Sequence, residues 1–181
     1  MKKEQIVAAL RRLGSLLAER GVCGEINLLG GTAMVLAFAA RQSTKDVDAI
    51  FVPTSEVREA AARVAEELGL SSDWLNDAVK GFVSDRGEFV PLPEFSTEAL
   101  RVQAPTAEYL LAMKVMAARA TLGGERGDRE DIRFLIRELG IRQSEQVWDV
   151  VGRYYEPGRV APRSLYLVEE ILEEMEKEGR G

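Results

Sequence analysis

The chain contains no histidine and a single cysteine, Cys23. Without histidine, it lacks the commonest general base and the commonest protein ligand of transition metals. A single cysteine excludes an intramolecular disulfide and any metal cluster built on cysteines, and it fits a reducing compartment. Whatever chemistry the chain performs must therefore be carried by carboxylates and lysines.

Long apolar runs are also missing. No segment approaches the roughly 20 apolar residues that a membrane helix needs. The N-terminal stretch MKKEQIVAALRRLGSLLAERG has the pattern of an amphipathic helix interrupted by charge, which is not that of a signal peptide. We therefore expect a cytoplasmic protein with no membrane partner. The net charge of −6 means that the surface as a whole does not attract nucleic acid, although a local basic patch would.

The first part of the chain alternates helical and strand patterns, as α/β sheets do. The chain has 181 residues, enough for one substantial core or for a small sheet domain with a helical extension. The patterns predict helix, strand, helix, strand and helix at residues 4–20, 25–29, 32–41, 47–52 and 55–68. Gly30 and Gly31 fall in the turn between the first strand and the helix that follows it.

The later part is predicted to be mainly helical. Residues 72–103 are less periodic, with a helical turn over 74–77 and candidate strands over 82–84 and 95–102. One helix is predicted over 105–122, where Pro105 suits the first helical position, and another over 128–139, where Asp128 suits the cap. Two further amphipathic helices are predicted at 143–155 and 162–178. We therefore predict a mixed α/β or α+β fold in one compact unit, with an α/β domain over 1–104 and a helical lobe over 105–181.

Two acids and a glycine turn bracket the second predicted helix. Asp46 and Asp48 are two residues apart, so they point to the same side of a strand and can share a magnesium ion, which prefers hard oxygen ligands. The turn Gly30-Gly31-Thr32 offers unhindered backbone amides and a hydroxyl to a phosphate. Lys45 can balance the acids or reach a phosphate. The plainer alternatives are that the two aspartates lie at a solvated strand edge, that the glycines form only a tight turn, and that Lys45 is simply an exposed lysine.

The order of these motifs resembles the DNA polymerase β-type nucleotidyltransferase superfamily, which has an apolar residue, two glycines, a spacer and an acid pair. Here the motifs are Leu29-Gly30-Gly31, a spacer of 14 residues and Asp46-Val47-Asp48-Ala49. Three further segments, WLND at 74–77, LLAMK at 110–114 and RGDREDI at 126–132, are similar to small bacterial nucleotidyltransferases, which include the abortive-infection toxins of toxin-antitoxin pairs. The resemblance spans about residues 26–140.

The resemblance implies a small nucleotidyltransferase-type sheet and a division of labour within one cleft. Gly30, Gly31 and Thr32 would bind the phosphates of a nucleoside triphosphate, and Asp46 and Asp48 would hold magnesium. On the helical lobe, the matching residues Lys114, Asp128 and Asp131 would complete the cleft. The implied acceptor is a hydroxyl of RNA or protein, and the implied protein partner is an antitoxin.

Lys114 can also be interpreted without the resemblance, because it lies on an otherwise apolar helix face. An unpaired ammonium there would be costly, so we expect a carboxylate or phosphate partner. In structural terms, Asp128 would be a helix cap and Asp131 the partner of Lys114. The neighbouring Arg119 and Arg126 would bind phosphate or pair with acids, and pairing is the safer default.

A third acid is harder to find. Many members of the superfamily carry a third metal-binding acid on a later strand, but the candidate strand ALRVQ at 99–103 contains none. Asp85, Glu94 and Glu98 are acids in the same region, and the sequence places none of them well. An active enzyme with two acids and a degenerate relative that binds a nucleotide or a protein partner both remain open.

Overall fold

The computed structural model describes residues 1–77, 81–118 and 126–179, and the chain divides into two compact units. The first unit comprises residues 1–81 and 89–105, and the second comprises residues 82–88 and 106–181. The fold is α+β, with a mixed five-stranded sheet, helices and a C-terminal helix, as the sequence predicts. Within the described ranges, no helix is long and apolar enough to cross a membrane.

The first unit holds the sheet. Its helices are α1 (Lys3–Glu19), α2 (Gly30–Leu36) and α3 (Thr54–Leu68), and its strands are β1 (Gly24–Leu28), β2 (Val47–Val52), β3 (Leu75–Asn76), β4 (Phe89–Pro91) and β5 (Leu100–Pro105). The strand order is β3-β2-β1-β5-β4. The pairs β1 with β5 and β2 with β3 are parallel, whereas β1 with β2 and β4 with β5 are antiparallel.

The two faces of this sheet differ in character. In β1, β2 and β5, alternate residues are buried in the apolar core, where they join the apolar stripe of α1. The predicted stripe of α1 is confirmed, since Leu10, Leu13 and Leu17 are fully buried. The residues between the buried positions include Asn27, Asp48 and Gln103, and these are half-buried. One face of the sheet is thus apolar and the other bears polar side chains.

Helix α2 is shorter than predicted. It begins at Gly30, so the two glycines are its first residues and not a turn before it as predicted, and it ends at Leu36 and not at residue 41. The name glycine turn is kept for Gly30-Gly31-Thr32, the first turn of α2. Ala39 has a left-handed backbone with φ of 51°, and the amide of Ala40 donates to the carbonyl of Met34 at 2.9 Å. Helical propensity favours the alanine-rich sequence, but this closing turn diverts the chain toward β2.

The region 72–105 departs furthest from the sequence pattern. The predicted helical turn at 74–77 is wrong, because Leu75–Asn76 forms β3 beside β2. Trp74 is fixed there by its indole, which donates to the carbonyl of Ala61 at 2.9 Å. The candidate strand at 82–84 is not formed by those described residues, and the strand predicted at 95–102 is β5, displaced to Leu100–Pro105.

The second unit is helical. It contains α4 (Ala107–Ala117), α5 (Arg126–Glu138), α6 (Ser144–Tyr154) and α7 (Pro162–Gly179). The first of these begins later than predicted, because Pro105 ends β5 and Thr106 caps the helix by accepting a hydrogen bond from the amide of Tyr109 at 3.2 Å. Residues 109–115 of α4 are all buried, so this helix forms the centre of the unit.

Segment 82–88 joins the second unit through hydrogen bonds to tyrosines. The amide of Ser84 donates to the Tyr109 hydroxyl at 2.9 Å, and the Ser84 hydroxyl donates to the carbonyl of Tyr154 at 2.6 Å. The Tyr154 hydroxyl donates to Glu88 at 2.8 Å, and that of Tyr155 donates to the carbonyl of residue 82. Burial first, and then the bond to Glu88, raise the pKa of Tyr154 to about 12.

Candidate functional site

The acid pair lies at the start of β2. Asp46 immediately precedes the strand and Asp48 is its second residue. Both are half-buried, whereas Val47 between them and Ala49 after them are fully buried in the core. The alternation therefore assigns the two aspartates to the side of the chain opposite the core.

The glycine turn is in contact with this acid pair. The amide of Leu29 donates to the carbonyl of Asp48 at 2.8 Å, which fixes the end of β1 beside the start of β2. Gly30 then takes a left-handed backbone with φ of 52°, and a Cβ atom placed on it would lie 2.5 Å from Asp48 Oδ2. Because real Cβ atoms do not approach an oxygen so closely, only glycine allows this carboxylate to lie against the turn.

Two residues of the glycine turn, Gly31 and Thr32, contact the segment before β2. A Cβ atom on Gly31 would lie 2.6 Å from Thr44 Oγ1. Thr32 is fully buried and its hydroxyl donates to the carbonyl of Asp46 at 3.0 Å. The hydroxyl proton of Thr32 thus positions the backbone of Asp46, and the binding of phosphate by Thr32 stays a prediction.

Lys45 is exposed. The pKa of Asp73 is lowered mainly by a hydrogen bond from Ser71, and the nearby charge of Lys45 contributes a smaller part of the same effect. In this conformation the lysine therefore interacts electrostatically with an acid just before β3, and its role toward a phosphate stays a prediction.

The second unit brings together its own three predicted residues. Lys114 of α4 is only 8% exposed, and its Nζ lies 2.8 Å from Asp128 Oδ1 and 2.7 Å from Asp131 Oδ2. Asp131 is 2% exposed. The expected carboxylate partner of the lysine is thus confirmed. Asp128 is not a helix cap but a residue in the first turn of α5. Arg119 lies outside the described residues, as does the side chain of Arg126.

The polar face of the sheet adds residues that the sequence motifs do not reveal. Asn27 lies between Asp48 and Gln103 in strand order, and Gln103 Nε2 donates to Asn27 Oδ1 at 3.0 Å. The pairing of Gly24 to Asn27 with Leu100 to Gln103 places these two amides side by side. The alternation in GEINL predicts that Asn27 faces away from the core, but its partner on β5 depends on a register that local sequence does not encode.

The neutral Gln103 bears on the missing third acid. It is the half-buried polar residue of β5 on the face that also bears Asn27 and Asp48. Of the other acids considered, Asp85 belongs to the second unit, and Glu94 lies in the short 3-10 turn Pro93–Phe95. Glu98 lines a cavity of about 720 Å³ with Cys23 and other residues. None of these three acids therefore lies on β1, β2 or β5, the strands that bear Asn27, Asp48 and Gln103.

Two aspartates suit a magnesium ion whose remaining ligands are phosphate oxygens and water, because magnesium is commonly bound by one or two carboxylates together with a substrate phosphate. Over residues 1–77, 81–118 and 126–179, no group of three or more acidic or cysteine side chains is arranged to hold a metal. Comparison of the chain with protein-family models, curated proteins and solved structures finds no significant match.

Proposed function

We propose that this protein is a magnesium-dependent nucleotidyltransferase that transfers a nucleotide from a nucleoside triphosphate to a hydroxyl of RNA or protein. The acceptor oxygen bonds to the α-phosphorus, the bond to the β-phosphate breaks, pyrophosphate leaves, and the hydroxyl proton is released to solvent. The observation that carries the proposal is the close approach of Asp48 to Gly30, where an added Cβ would lie 2.5 Å from the carboxylate oxygen. A turn that can bind phosphate and an acid that can bind magnesium thus form a single constellation in the first unit.

Each part of this constellation has a role in the proposed reaction. The glycine turn offers backbone N–H groups to the phosphates. Asp46 and Asp48 hold the magnesium, which would supply charge neutralisation at the reacting phosphate and lower the pKa of a coordinated hydroxyl. Thr32 keeps Asp46 in register with the turn through its hydrogen bond at 3.0 Å. The buried Lys114 ion pair belongs to the second unit, where it fixes α4 against α5.

The order of the sequence motifs and the contact between Gly30 and Asp48 support a relationship to the polymerase β-type superfamily and to the small bacterial toxins within it. Transfer of a nucleotide to a cellular RNA or protein would inactivate the acceptor, which is the action expected of a toxin controlled by an antitoxin. Growth arrest on expression of the parent chain, relieved in an Asp46→Asn/Asp48→Asn variant, would support this cellular role.

The direct test is transfer of label from α-³²P nucleoside triphosphates to total RNA and to total protein in magnesium buffer. We expect labelling by the parent chain and none by the Asp46→Asn/Asp48→Asn variant. Asp149→Asn is the matched control, because it makes the same chemical change at an exposed position on α6. Equal labelling by the double variant and the parent would show that the assigned acids are not the site.

A second candidate function is favoured by the neutral Gln103 on the polar face of the sheet. With no acid at that position, the chain would be a degenerate relative that binds a nucleotide or a protein partner without turnover. Calorimetry with each nucleoside triphosphate, with and without magnesium, distinguishes the two functions. Metal-dependent binding without transfer to any acceptor favours the binding module, and absence of binding counts against both.

A further inference from the structure

Arg41 lies beside the glycine turn, although no sequence motif includes it. A Cβ atom on Gly31 would lie within ordinary contact distance of Arg41 Nη1, at 3.6 Å, whereas a Cβ atom on Gly30 would lie only 2.5 Å from Asp48 Oδ2. Adjacent glycines are therefore approached by a guanidinium and by a carboxylate. At 3.6 Å a Cβ atom at position 31 would be in ordinary van der Waals contact with the guanidinium, so Arg41 lies directly beside the backbone that is proposed to bind phosphate.

The segment that carries Arg41 is fixed by hydrogen bonds on both sides of this residue. Before it, the amide of Ala40 donates to the carbonyl of Met34 at 2.9 Å. After it, the amide of Thr44 donates to the carbonyl of Met1 at 2.9 Å, and Ser43 forms a bridge with residue 2. Arg41 itself is half-buried. Its backbone is thus held in place, which lowers the entropic cost of using its side chain in binding.

The charge balance of the constellation calls for a cation of this kind. Asp46 and Asp48 are both half-buried, and a nucleoside triphosphate adds further negative charge next to them. Magnesium offsets part of this repulsion, and a guanidinium is suited to offset the rest because it remains charged and presents paired N–H donors to phosphate oxygens. Lys45 is less suitable, since it is exposed, whereas Arg41 is half-buried.

We propose that Arg41 binds the polyphosphate of the donor nucleotide and makes this site select nucleoside triphosphates over monophosphates. The proposal rests on the nucleotidyltransferase function proposed above. It adds a specificity-determining residue to the glycine turn and the acid pair. Arg41 contacts the outer phosphates, whereas the acid pair and its magnesium serve the phosphate that is transferred.

Calorimetry of the full chain with ATP, GTP, CTP and UTP, and with the four corresponding monophosphates, tests this role in magnesium buffer. We expect Arg41→Gln to weaken triphosphate binding by about tenfold or more, the worth of a charge-assisted hydrogen bond, and to leave monophosphate binding within about twofold of the parent. Arg41→Lys should recover part of the loss, because it keeps the charge but not the paired donors.

Arg58→Gln is the matched control, since Arg58 is an exposed arginine of the same unit that pairs with Asp77 at 2.6 Å. If Arg41→Gln does not fold, Arg41→Lys alone decides, and an unchanged preference for triphosphate in that variant overturns the proposal. An equal loss for monophosphates and triphosphates also overturns it. If triphosphate binding requires Asp46 and Asp48 but not Arg41, only the role of Arg41 is wrong. If the parent chain binds no nucleotide, the proposed function is wrong as well.

Discussion

Lys114 Nζ lies 2.7 Å from Asp131 Oδ2, and both residues are more than 90% buried. Burying two charges is costly, and their attraction offsets that cost only while both are present. Removal of one partner alone should therefore strongly destabilise the packing of α4 against α5. A well-packed apolar pair in place of both residues would hold the two helices together at least as well.

Asp131→Asn should lower the free energy of unfolding by about 3–5 kcal/mol, because it leaves a buried ammonium with one carboxylate in place of two. The matched change Asp128→Asn should cost about 1 kcal/mol or less, since the Asp128 side chain is 42% exposed. Urea denaturation of the two variants measures the difference. Equal losses would mean that the burial of Asp131 is not what makes its pairing important.

Gly30→Ala should destabilise the first unit by more than Gly69→Ala. Both positions have left-handed backbones, with φ of 52° and 62°, and this strain alone costs on the order of 1 kcal/mol in a non-glycine residue. A Cβ at Gly69 meets nothing within 4 Å, whereas one at Gly30 meets Asp48. Thermal unfolding compares the two variants. A smaller effect at Gly30 than at Gly69 would contradict the packing of the carboxylate against the turn.

Magnesium and a bound nucleoside triphosphate should stabilise the protein together and not separately. A ligand at 100 times its Kd adds about 2.7 kcal/mol, which raises the Tm of a protein of this size by roughly 5–10 °C. Differential scanning fluorimetry should show this shift in the parent and in Asp149→Asn, and lose it in Asp46→Asn/Asp48→Asn. A shift that persists in the double variant, or that survives EDTA, would place the ligand elsewhere.

The stability of the second unit should fall at high pH. Burial and the hydrogen bond to Glu88 raise the folded pKa of Tyr154 from its ordinary value of 10.0 to about 12. Its contribution is therefore complete below about pH 10 and is lost as the pH rises to about 12, because the unfolded chain releases the proton first. Urea denaturation at several pH values between 8 and 12 measures this loss, and Tyr154→Phe should make it smaller. An unchanged pH profile in that variant would show that Tyr154 does not contribute.

Sequence reasoning succeeded where the pattern is long and local. The amphipathic periods of α1, α3, α6 and α7 placed these helices to within a residue or two of their observed ends. It failed between residues 72 and 105, where short segments take their structure from distant partners. Leu75–Asn76 is a strand because it pairs with β2, and no property of WLND itself indicates that pairing.

The candidate site, too, was predictable from the sequence only in part. The two-residue spacing of Asp46 and Asp48 and the paired glycines are visible in the sequence, and the structure places Asp48 against Gly30. Arg41 could not be found in this way. Its guanidinium reaches Gly31 only because α2 ends early and the chain turns back, and the predicted helix over 32–41 conceals that turn.

Segment 82–88, which is hydrogen-bonded to tyrosines of the second unit, makes that unit discontinuous in sequence. The chain enters that unit at residue 82, returns to the first unit at residue 89 to form β4 and β5, and enters the second unit again at residue 106. No single cut can therefore release either unit whole. A fragment that begins after Pro105 would keep Tyr109 and Tyr154 but lose Ser84 and Glu88, and with them three of the hydrogen bonds that hold the second unit together.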